Sequence, residues 1–311
     1  MKLSIVVPCY NEEGNVNPFS ETVYKTFKNK KIKYEIIFIN DGSKDNTIKI
    51  LNEIIAEEKQ NIKIINFSRN FGKEAAMYAG LNEASGEYVT IIDADLQQRP
   101  EIILNMLDIL EKNEEYDSIV AYQEKRKENK LLIFFKNCFY RLINKISTVP
   151  FVEGASDFRT FRKKVVDAIL TVSEYHRFSK GIFSFVGFNA YYMPYTVEER
   201  NSGNSKWSFI KLFNYAIEGI VAFTTSPLRI SFFLGFLTLF AALITLIVFL
   251  ITKITILKGI ISLILFMFGL QFIILGIIGE YLSKTYIETK NRPIYIIKEK
   301  IVGKKKGESY E

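Results

Sequence analysis

Residues 88–97 read Tyr-Val-Thr-Ile-Ile-Asp-Ala-Asp-Leu-Gln, an apolar run that ends in a cluster of oxygen-bearing side chains. The run has the length of a β-strand, and it stops at Asp93. Comparable apolar runs occur earlier, at 3–7, 34–39 and 62–66, and each is followed by polar residues. The segments that separate these four runs decide the fold class.

Segments with helical spacing of apolar residues, 16–28, 45–57 and 74–83, lie between the runs. The second begins with Asp45-Asn46-Thr47, which is typical of a helix start. Continuous apolar strands that alternate with helices indicate a doubly wound α/β fold with a mostly parallel sheet. The first strand is expected to stop at Pro8.

The ends of the four predicted strands are all polar. They are residues 8–13, 40–43, 68–73 and 93–98. In parallel sheets ligands bind beyond the carboxyl ends of the strands. We therefore expect these segments to form one site.

Asp93, Asp95 and Gln97 are candidate metal ligands. If the chain stays extended, residues at every second position point the same way, so three oxygens meet at one point. Oxygen ligands without His or Cys suit Mg²⁺ or Mn²⁺, which also bind substrate phosphates. The alternative is a loop whose aspartates cap the helix that follows Pro100.

Glu12, Asp41 and Tyr10 are candidate nucleotide contacts. The two carboxylates can accept hydrogen bonds from a ribose or from base N–H groups, and the ring of Tyr10 offers a stacking face. Helix capping is the alternative role for Asp41 and Ser43. Several acidic strand ends on one rim are costly unless a cation or a donor-rich ligand lies between them.

Further candidates lie later in the chain. The polar loop from Arg200 to Trp207 has a cation at each end, Arg200 and Lys206, and is suited to close over a diphosphate. A simple linker is the alternative. His176 is the only histidine, and it has no partner residues for hydrolase or zinc chemistry, so we expect a structural or exposed role.

The C-terminal third differs in composition from the rest. The chain has 311 residues, a net charge of +7 and a mean hydropathy of +0.08. No charged residue occurs from 230 to 252 or from 259 to 279, and each stretch is long enough to span a bilayer as a helix. A purely soluble enzyme, a disordered chain and a polytopic transporter are disfavoured.

A basic tail follows the second apolar stretch, and a six-residue connector, 253–258, separates the two. The positive-inside rule predicts a helical hairpin with both termini in the cytoplasm. The basic charges lie next to membrane spans, so anionic lipid is the expected partner and nucleic acid is not. The segments 130–146 and 207–223 interleave aromatic and basic residues, which favours helices in the membrane interface over ordinary core helices. The two cysteines, Cys9 and Cys138, have no metal-ligand spacing and suit a reducing cytosol.

These motifs together resemble the family-2 glycosyltransferases of the A-type (Rossmann-like) fold. More narrowly, they resemble the polyprenyl-phosphate glycosyltransferases, which include dolichol-phosphate mannose synthases and bactoprenol glucosyltransferases. The resemblance is carried in chain order by 6–13, 40–43, 68–74, 93–97, 157–159, 200–207 and the terminal hairpin.

The resemblance implies site residues position by position. It implies a nucleotide-sugar site formed by Pro8, Tyr10, Glu12, Asp41, Lys73, Asp93, Ser205 and Lys206. It implies catalytic roles for Asp95, Asp157 and Arg200, and Mg²⁺ or Mn²⁺ at Asp93, Asp95 and Gln97. Acceptor-phosphate contacts are implied for Arg126, Arg141 and Arg159.

The function implied is the inverting transfer of one hexose, glucose from UDP-glucose, to undecaprenyl or another polyprenyl phosphate at the cytoplasmic membrane face, for cell-envelope glycan modification. The chain lacks the Gln-x-x-Arg-Trp motif of processive synthases, which favours a single transfer. The alternatives are another donor sugar (mannose, a hexosamine or aminoarabinose) and an inactive scaffold that only binds nucleotide sugar. Gly269, Gly276 and Gly279 allow close helix packing, so a homo-oligomer is expected.

The expected domain organisation has five parts. They are a cytoplasmic glycosyltransferase domain at 1–200 with an interfacial helix at 129–147, a donor loop and interfacial helix at 201–228, transmembrane helices at 229–253 and 258–281, and a basic cytoplasmic tail at 282–311.

Overall fold

A mixed β-sheet forms the centre of the fold. The computed structural model of the chain describes residues 2–57, 61–123, 140–141, 143–147, 149–195, 221–251 and 256–303. In chain order the strands are β1 (Leu3–Cys9), β2 (Tyr34–Asn40), β3 (Ile62–Phe67), β4 (Tyr88–Ile91), β5 (Ser118–Gln123), β6 (Ala155–Arg162), β7 (Ala190–Tyr195) and β8 (Ile297–Val302). Across the sheet their order is β7-β5-β6-β4-β1-β2-β3-β8.

Parallel pairing dominates the first half of the sheet. β1 lies parallel to β2 and β4, β2 is parallel to β3, and β5 is parallel to β7. β6 runs antiparallel to both β4 and β5, and β8 runs antiparallel to β3. The expected A-type α/β class with a mostly parallel sheet is confirmed. The strands after β4 were not predicted.

Helices cover both faces of the sheet. They are α1 (Val16–Phe27), α2 (Thr47–Ala56), α3 (Lys73–Glu83), α4 (Ile102–Lys112), α5 (Lys163–Thr171) and α6 (Ser179–Phe185). The helices α7 (Ser226–Ile251) and α8 (Ile256–Thr289) follow later in the chain. Side chains alternate between the faces, as in any strand. Ile5 and Val7 of β1 pack with α1, α2 and α4, whereas Val6 packs with α3, α5 and α6.

β1 continues one residue past the predicted stop at Pro8. Pro8 pairs with Ile39 and Cys9 pairs with Asn40 of β2. On its other side β1 faces β4, which ends at Ile91 opposite Val6. The missing N–H of Pro8 therefore points past the end of β4 and breaks no ladder hydrogen bond.

The two apolar stretches form α7 and α8, and these helices pack against each other. Within the described residues, the part of α8 from Phe266 to Thr289 is long and apolar enough to cross a membrane. The predicted span 258–281 lies inside α8, but the helix continues eight residues further, to Thr289. The membrane role of α7, and with it the two-span hairpin, stays a prediction.

The basic tail returns to the sheet, which the sequence did not indicate. β8 adds to the edge of β3, so that Lys63 pairs with Val302 and Asn66 pairs with Glu299. The ring of Tyr295 stacks on Phe67 with centroids 5.0 Å apart. The chain therefore pairs with the sheet again after α7 and α8.

Candidate active site

The carboxyl ends of β1, β2, β3 and β4 meet at one edge of the sheet, as expected for parallel strands. β6 contributes its beginning to the same edge, because it runs antiparallel to β4 and pairs Arg159 with Ile91. Asp157, near the start of β6, therefore lies beside Asp93, which follows β4. The antiparallel direction of β6 thus brings residues that are far apart in sequence to the same edge.

Lys73 connects the two aspartates. Its Nζ lies 2.8 Å from Oδ1 of Asp93 and 3.0 Å from Oδ2 of Asp157. The ammonium donates a hydrogen bond to each carboxylate. Lys73 is the first residue of α3, so the side chain at the start of this helix contacts Asp93 after β4 and Asp157 in β6.

The charges in this group stabilise one another. Burial favours the neutral forms, but the two carboxylates prevail and raise the pKa of Lys73 above its ordinary value. Burial likewise opposes ionisation of Asp157, yet Lys73, Lys180 and Arg159 hold the pKa of its carboxyl below the ordinary range. Asp157 is therefore an anion at neutral pH and a weak proton acceptor.

Asp41 organises the loop that precedes Lys73. Its buried carboxylate accepts hydrogen bonds from the N–H of Phe71 at 2.6 Å, the N–H of Gly72 at 2.9 Å and the side-chain amide of Asn70 at 2.9 Å. Burial raises the pKa of Asp41 in spite of these donors. The carboxylate shapes the loop, and its predicted nucleotide contact stays a prediction.

A close backbone approach explains Gly42 in the same region. The φ of Gly42 is +61°, and a β-carbon there would overlap the backbone of Arg69 and Asn70. Only glycine allows both the left-handed conformation and this contact. The loops after β2 and β3 are thereby held against each other.

The loop after β1 is tied to the loop after β2. Asn11, with φ +55°, donates its N–H to Oγ of Ser43 at 2.9 Å, and the N–H of Glu12 donates to Oγ1 of Thr47 at 2.8 Å. The carboxylate of Glu12 accepts a bond from the amide of Asn15 at 2.6 Å. Pro8 and Tyr10 are partly exposed at this edge.

The predicted extended geometry of residues 93–97 is wrong. The chain turns here, with Leu96 in the left-handed region at φ +59° and the N–H of Gln97 donating to Oδ1 of Asp95 at 3.2 Å. An aspartate that binds the N–H two residues ahead favours such a turn over a continued strand. Asp93, Asp95 and Gln97 remain at the edge, all partly exposed, but a strand does not align them.

The predicted metal ligands offer two carboxylates and one amide. Among the residues that the structure describes, no group of three or more His, Cys, Asp and Glu side chains is placed to hold a metal ion. A cation at Asp93 and Asp95 would therefore draw further oxygens from Gln97, from water or from a substrate.

Arg159 and Lys180 add positive charge next to Asp157. The guanidinium of Arg159 is buried, its Nε donates to the carbonyl of Ser156 at 2.9 Å, and it lies 4.7 Å from the ring centre of Phe183. Lys180 lies on α6 and lines the same pocket as Arg159. Sequence reasoning missed Lys180, because no motif or periodicity marks it.

Glu74 holds α6 in place and was also missed as a functional residue. Its carboxylate accepts hydrogen bonds from the N–H of Ser179, at 2.9 Å, and from its hydroxyl. Burial and the nearby charge of Asp157 raise the pKa of Glu74 to about 7. Lys73 and Glu74 are adjacent in sequence, so the start of α3 contacts both Asp157 and α6. Glu74 lies in the segment 68–74, which carries part of the family resemblance, so that segment could have marked it as a functional residue.

Six further residues were singled out from the sequence, and the structure describes two of them. Arg126, Arg200, Ser205 and Lys206 lie outside the described residues, as do most of the two predicted interfacial helices. Arg141 is exposed and helical in conformation. His176 is exposed, with its ring edge-on to Tyr175, as expected.

The profile of the family described as glycosyl transferase family 2 matches residues 4–170. A bactoprenol glucosyl transferase of Shigella phage SfII is 40% identical over 308 residues, covering 96% of this chain and 98% of the phage protein. A prophage bactoprenol glucosyl transferase homolog of Escherichia coli is 39% identical over 306 residues, covering 96% of this chain and 99% of that one. An uncharacterized glycosyltransferase of Synechocystis, sll0501, is 39% identical over 304 residues, covering 96% and 95%.

The family match covers more than half of the chain and contains β1 to β6. The similarity to the three relatives extends over nearly the whole length of each protein. The chain therefore belongs to glycosyl transferase family 2 and is a glycosyltransferase.

Proposed function

We propose that this enzyme transfers one hexose, glucose from UDP-glucose, to the phosphate of undecaprenyl phosphate or a similar polyprenyl phosphate. The observation that carries the proposal is the meeting of Lys73, Asp93 and Asp157 next to the buried Arg159. An edge that holds both carboxylates and cations suits two phosphate-bearing substrates. Relatives that match this chain over nearly their whole length are named bactoprenol glucosyl transferases, which supports the lipid acceptor. The proposed role of the product is the modification of cell-envelope glycans.

Asp93, Asp95 and Gln97 are the residues that would hold Mg²⁺ or Mn²⁺. Their oxygens suit these hard cations. The carboxylate of Asp93 already attracts a cationic group, since Lys73 Nζ lies 2.8 Å from it. The donor set therefore fits a divalent cation. When bound, the cation would neutralise negative charge on the departing nucleoside diphosphate.

The nucleotide sugar is proposed to bind along the ends of β1 and β2. Pro8, Tyr10, Glu12 and Asp41 line this edge, and the hydrogen bonds between the two loops hold it rigid. Arg200, Ser205 and Lys206 are proposed to close over the diphosphate. Positive side chains at that point would stabilise the leaving group.

The acceptor needs little help from a general base. A phosphate monoester has a second pKa near 6, so it is largely a dianion at neutral pH. Asp157 is a poor base, because Lys73, Lys180 and Arg159 keep its pKa low despite burial. We propose in-line displacement at the anomeric carbon with inversion, in which Asp157 orients Lys73 and Arg159. Arg159, together with Arg126 and Arg141, is proposed to bind the acceptor phosphate.

The enzyme is proposed to lie at the cytoplasmic face of the plasma membrane with two spans. α7 exposes large apolar side chains, among them Phe233, Phe236 and Phe240, as α8 does with Phe268 and Phe272. Contiguous apolar surface of this kind favours contact with lipid. The return of β8 to the sheet supports an even number of crossings, because the catalytic domain and the tail lie on the same side.

We retain 1–200 as the catalytic domain, 201–228 as the donor loop and interfacial helix, and two spans near 229–253 and 258–281. Segment 282–311 then consists of the end of α8 followed by β8 and the basic terminus.

The exposed faces of Gly269, Gly276 and Gly279 support a homo-oligomer. Transfer of mannose, a hexosamine or aminoarabinose is the alternative reaction, and a nucleotide-sugar-binding scaffold is the alternative without catalysis.

The test uses the purified full-length protein with undecaprenyl phosphate, Mg²⁺ or Mn²⁺ and a panel of nucleotide sugars. Mass spectra of the lipid fraction should show one added hexose, with UDP-glucose as the best donor. Another added sugar would identify the alternative donor. Nucleotide-sugar binding in calorimetry without any glycosylated lipid would support the scaffold and contradict the proposal.

A further inference from the structure

A small pocket lies next to Arg159, and most of its lining has no assigned role. Two cationic side chains, Arg159 and Lys180, line it together with the aromatic rings of Tyr140, Phe151, Phe178 and Tyr192. Cations and aromatic rings in one pocket suit a ligand that is anionic at one end and apolar at the other.

The cations of this pocket are partly removed from water. Arg159 is only 6% exposed, and Lys180 is half-buried on α6. Within the described part of the chain Lys180 makes no ion pair, because the nearby carboxylate of Asp157 is bonded to Lys73. Burial lowers the pKa of Lys180; the carboxylate of Asp157 opposes this effect, and the positive charges of Arg159 and Lys73 add to it. Asp157, which also binds Lys73, compensates these two cations only in part, and a phosphate in the pocket would compensate them further.

The position of Lys180 is fixed by a second residue. Ser179, its neighbour, donates its N–H and its hydroxyl to the carboxylate of Glu74. Gly181, on its other side, lies against the ring of Phe223, where a β-carbon would overlap. The contacts of Ser179 and Gly181 therefore fix the position of Lys180 on α6.

The aromatic side of the pocket leads to the membrane helices. Phe151 packs against Phe178 and Phe223 with centroids 5.9 and 6.1 Å apart. Phe223 lies three residues before the start of α7, and the hydroxyl of Tyr281 on α8 donates to the carbonyl of Thr224 at 2.6 Å. An apolar chain that enters the pocket from the bilayer would reach the cations along these rings.

We propose that Lys180, paired with Arg159, binds the phosphate of the lipid acceptor, and that the aromatic wall takes the first apolar units of its chain. This inference rests on the proposed function. Lys180 would act on the acceptor alone, because its pocket is lined by residues of β6, β7 and α6, whereas the proposed nucleotide contacts follow β1 and β2. Glu74 is then a positioning residue for Lys180.

The first experiment measures KM for undecaprenyl phosphate and, separately, for UDP-glucose. Lys180→Gln should raise the acceptor KM about tenfold or more, as expected for loss of a charged hydrogen bond, with the donor KM unchanged. Lys180→Arg should restore most of the affinity. Lys112→Gln, on an exposed helix remote from the pocket, is the matched control. An unchanged acceptor KM in Lys180→Gln would overturn the inference.

The second experiment needs no turnover, so it separates failure of this inference from failure of the proposed function. Geranyl phosphate, geraniol and inorganic phosphate are each titrated against the protein, with ³¹P NMR for the two phosphates and calorimetry for the alcohol. Geranyl phosphate should bind most tightly, and Lys180→Gln should weaken it. Tyr192→Ser, at an exposed ring, should weaken geranyl phosphate but leave inorganic phosphate unchanged.

Equal binding of inorganic and geranyl phosphate would show that the pocket takes a free anion and would overturn the lipid assignment. If no glycosylated lipid forms but geranyl phosphate still binds through Lys180, the result contradicts the proposed transfer reaction and supports the proposed role of the pocket. Circular dichroism and thermal melting of each variant distinguish a lost contact from a lost fold. If Lys180→Gln does not fold, the test uses Lys180→Arg and Tyr192→Ser instead. Unchanged binding of geranyl phosphate in Tyr192→Ser would then contradict the proposal.

Discussion

The ammonium of Lys73 lies 3.0 Å from a carboxylate oxygen of Asp157, although 84 residues separate them in the chain. The same ammonium lies 2.8 Å from Asp93. One cation thus contacts two carboxylates at the edge where the proposed donor and acceptor sites meet. Lys73 and a divalent cation would therefore compete for the carboxylate of Asp93.

Replacing Lys73 by Met should tighten the binding of Mn²⁺ in the absence of nucleotide, by about tenfold. The reason is that a carboxylate freed from an ion pair is more available to a metal ion. Electron paramagnetic resonance of free Mn²⁺ measures the affinity directly. Lys112→Met serves as the control, and weaker Mn²⁺ binding in Lys73→Met would show that Lys73 assists the metal instead.

Replacing Asp157 by Asn should lower kcat by no more than about tenfold. Its pKa is held low by Lys73, Lys180 and Arg159 despite burial, so it is not suited to abstract a proton. Loss of a general base commonly costs about 10²–10⁴ in rate. Steady-state kinetics with saturating substrates decide between the two roles. Complete loss of turnover with unchanged acceptor binding would establish the base.

Replacing Glu74 by Gln should alter how thermal stability depends on pH. The pKa of Glu74 is raised to about 7 in the folded protein, above the ordinary value of 4.5. Its favourable contribution is therefore complete below about pH 4.5 and is lost as the pH rises through 7. The melting temperature of the native protein should fall relative to that of Glu74→Gln between pH 5 and pH 8.

The exposed Glu87 provides the control for that measurement. Glu87→Gln should follow the native curve over the same pH range. Parallel curves for the native protein and Glu74→Gln would mean that Glu74 titrates normally.

Replacing Tyr295 by Ala should destabilise the fold by about 2 kcal/mol, within the range usual for loss of a packed side chain. Tyr295 stacks on Phe67, and the next residue, Ile296, accepts the N–H of Ser68 at 3.0 Å. Ser68 begins the loop that leads to Lys73. Denaturant or thermal unfolding gives the loss of stability, and Lys298→Ala on the exposed face of β8 should have little effect.

A cysteine that replaces Lys253, between α7 and α8, should react with a membrane-impermeant maleimide added outside intact cells. A cysteine that replaces Lys298 in β8 should react only after permeabilisation, since β8 pairs with the sheet that we propose to lie in the cytoplasm. Both are placed in a background without Cys9 and Cys138. Labelling of both positions from the same side would contradict the two-span arrangement.

The local patterns of the chain were sufficient to predict the first half of the fold. Strand-length apolar runs and helical spacing located β1 to β4 and α1 to α3 within one or two residues. The reason is that a parallel α/β unit repeats one signal, a buried strand followed by an amphipathic helix. The same signal directed attention to the strand ends, where Asp41, Lys73 and Asp93 lie.

The second half could not be predicted in the same way. β6 (Ala-Ser-Asp-Phe-Arg-Thr-Phe-Arg) and β8 (Ile-Lys-Glu-Lys-Ile-Val) carry charges that hide their strand character. Such segments become strands because a neighbour offers a free edge, and that partner is distant in sequence. The turn at Asp95 depended on a side-chain hydrogen bond that competes with extension.

The sequence by itself determined the fold class, the family motifs and the apolar C-terminal stretches, because these depend on short-range periodicity and composition. The tertiary structure alone decided that Asp157 joins Asp93 through Lys73, that Glu74 fixes Lys180, and that the tail returns to β3. The contacts of Lys73 with Asp157, of Glu74 with Ser179 and of β3 with β8 join segments more than 80 residues apart. They exist only because an antiparallel strand or a packed helix reverses the chain beside the parallel core.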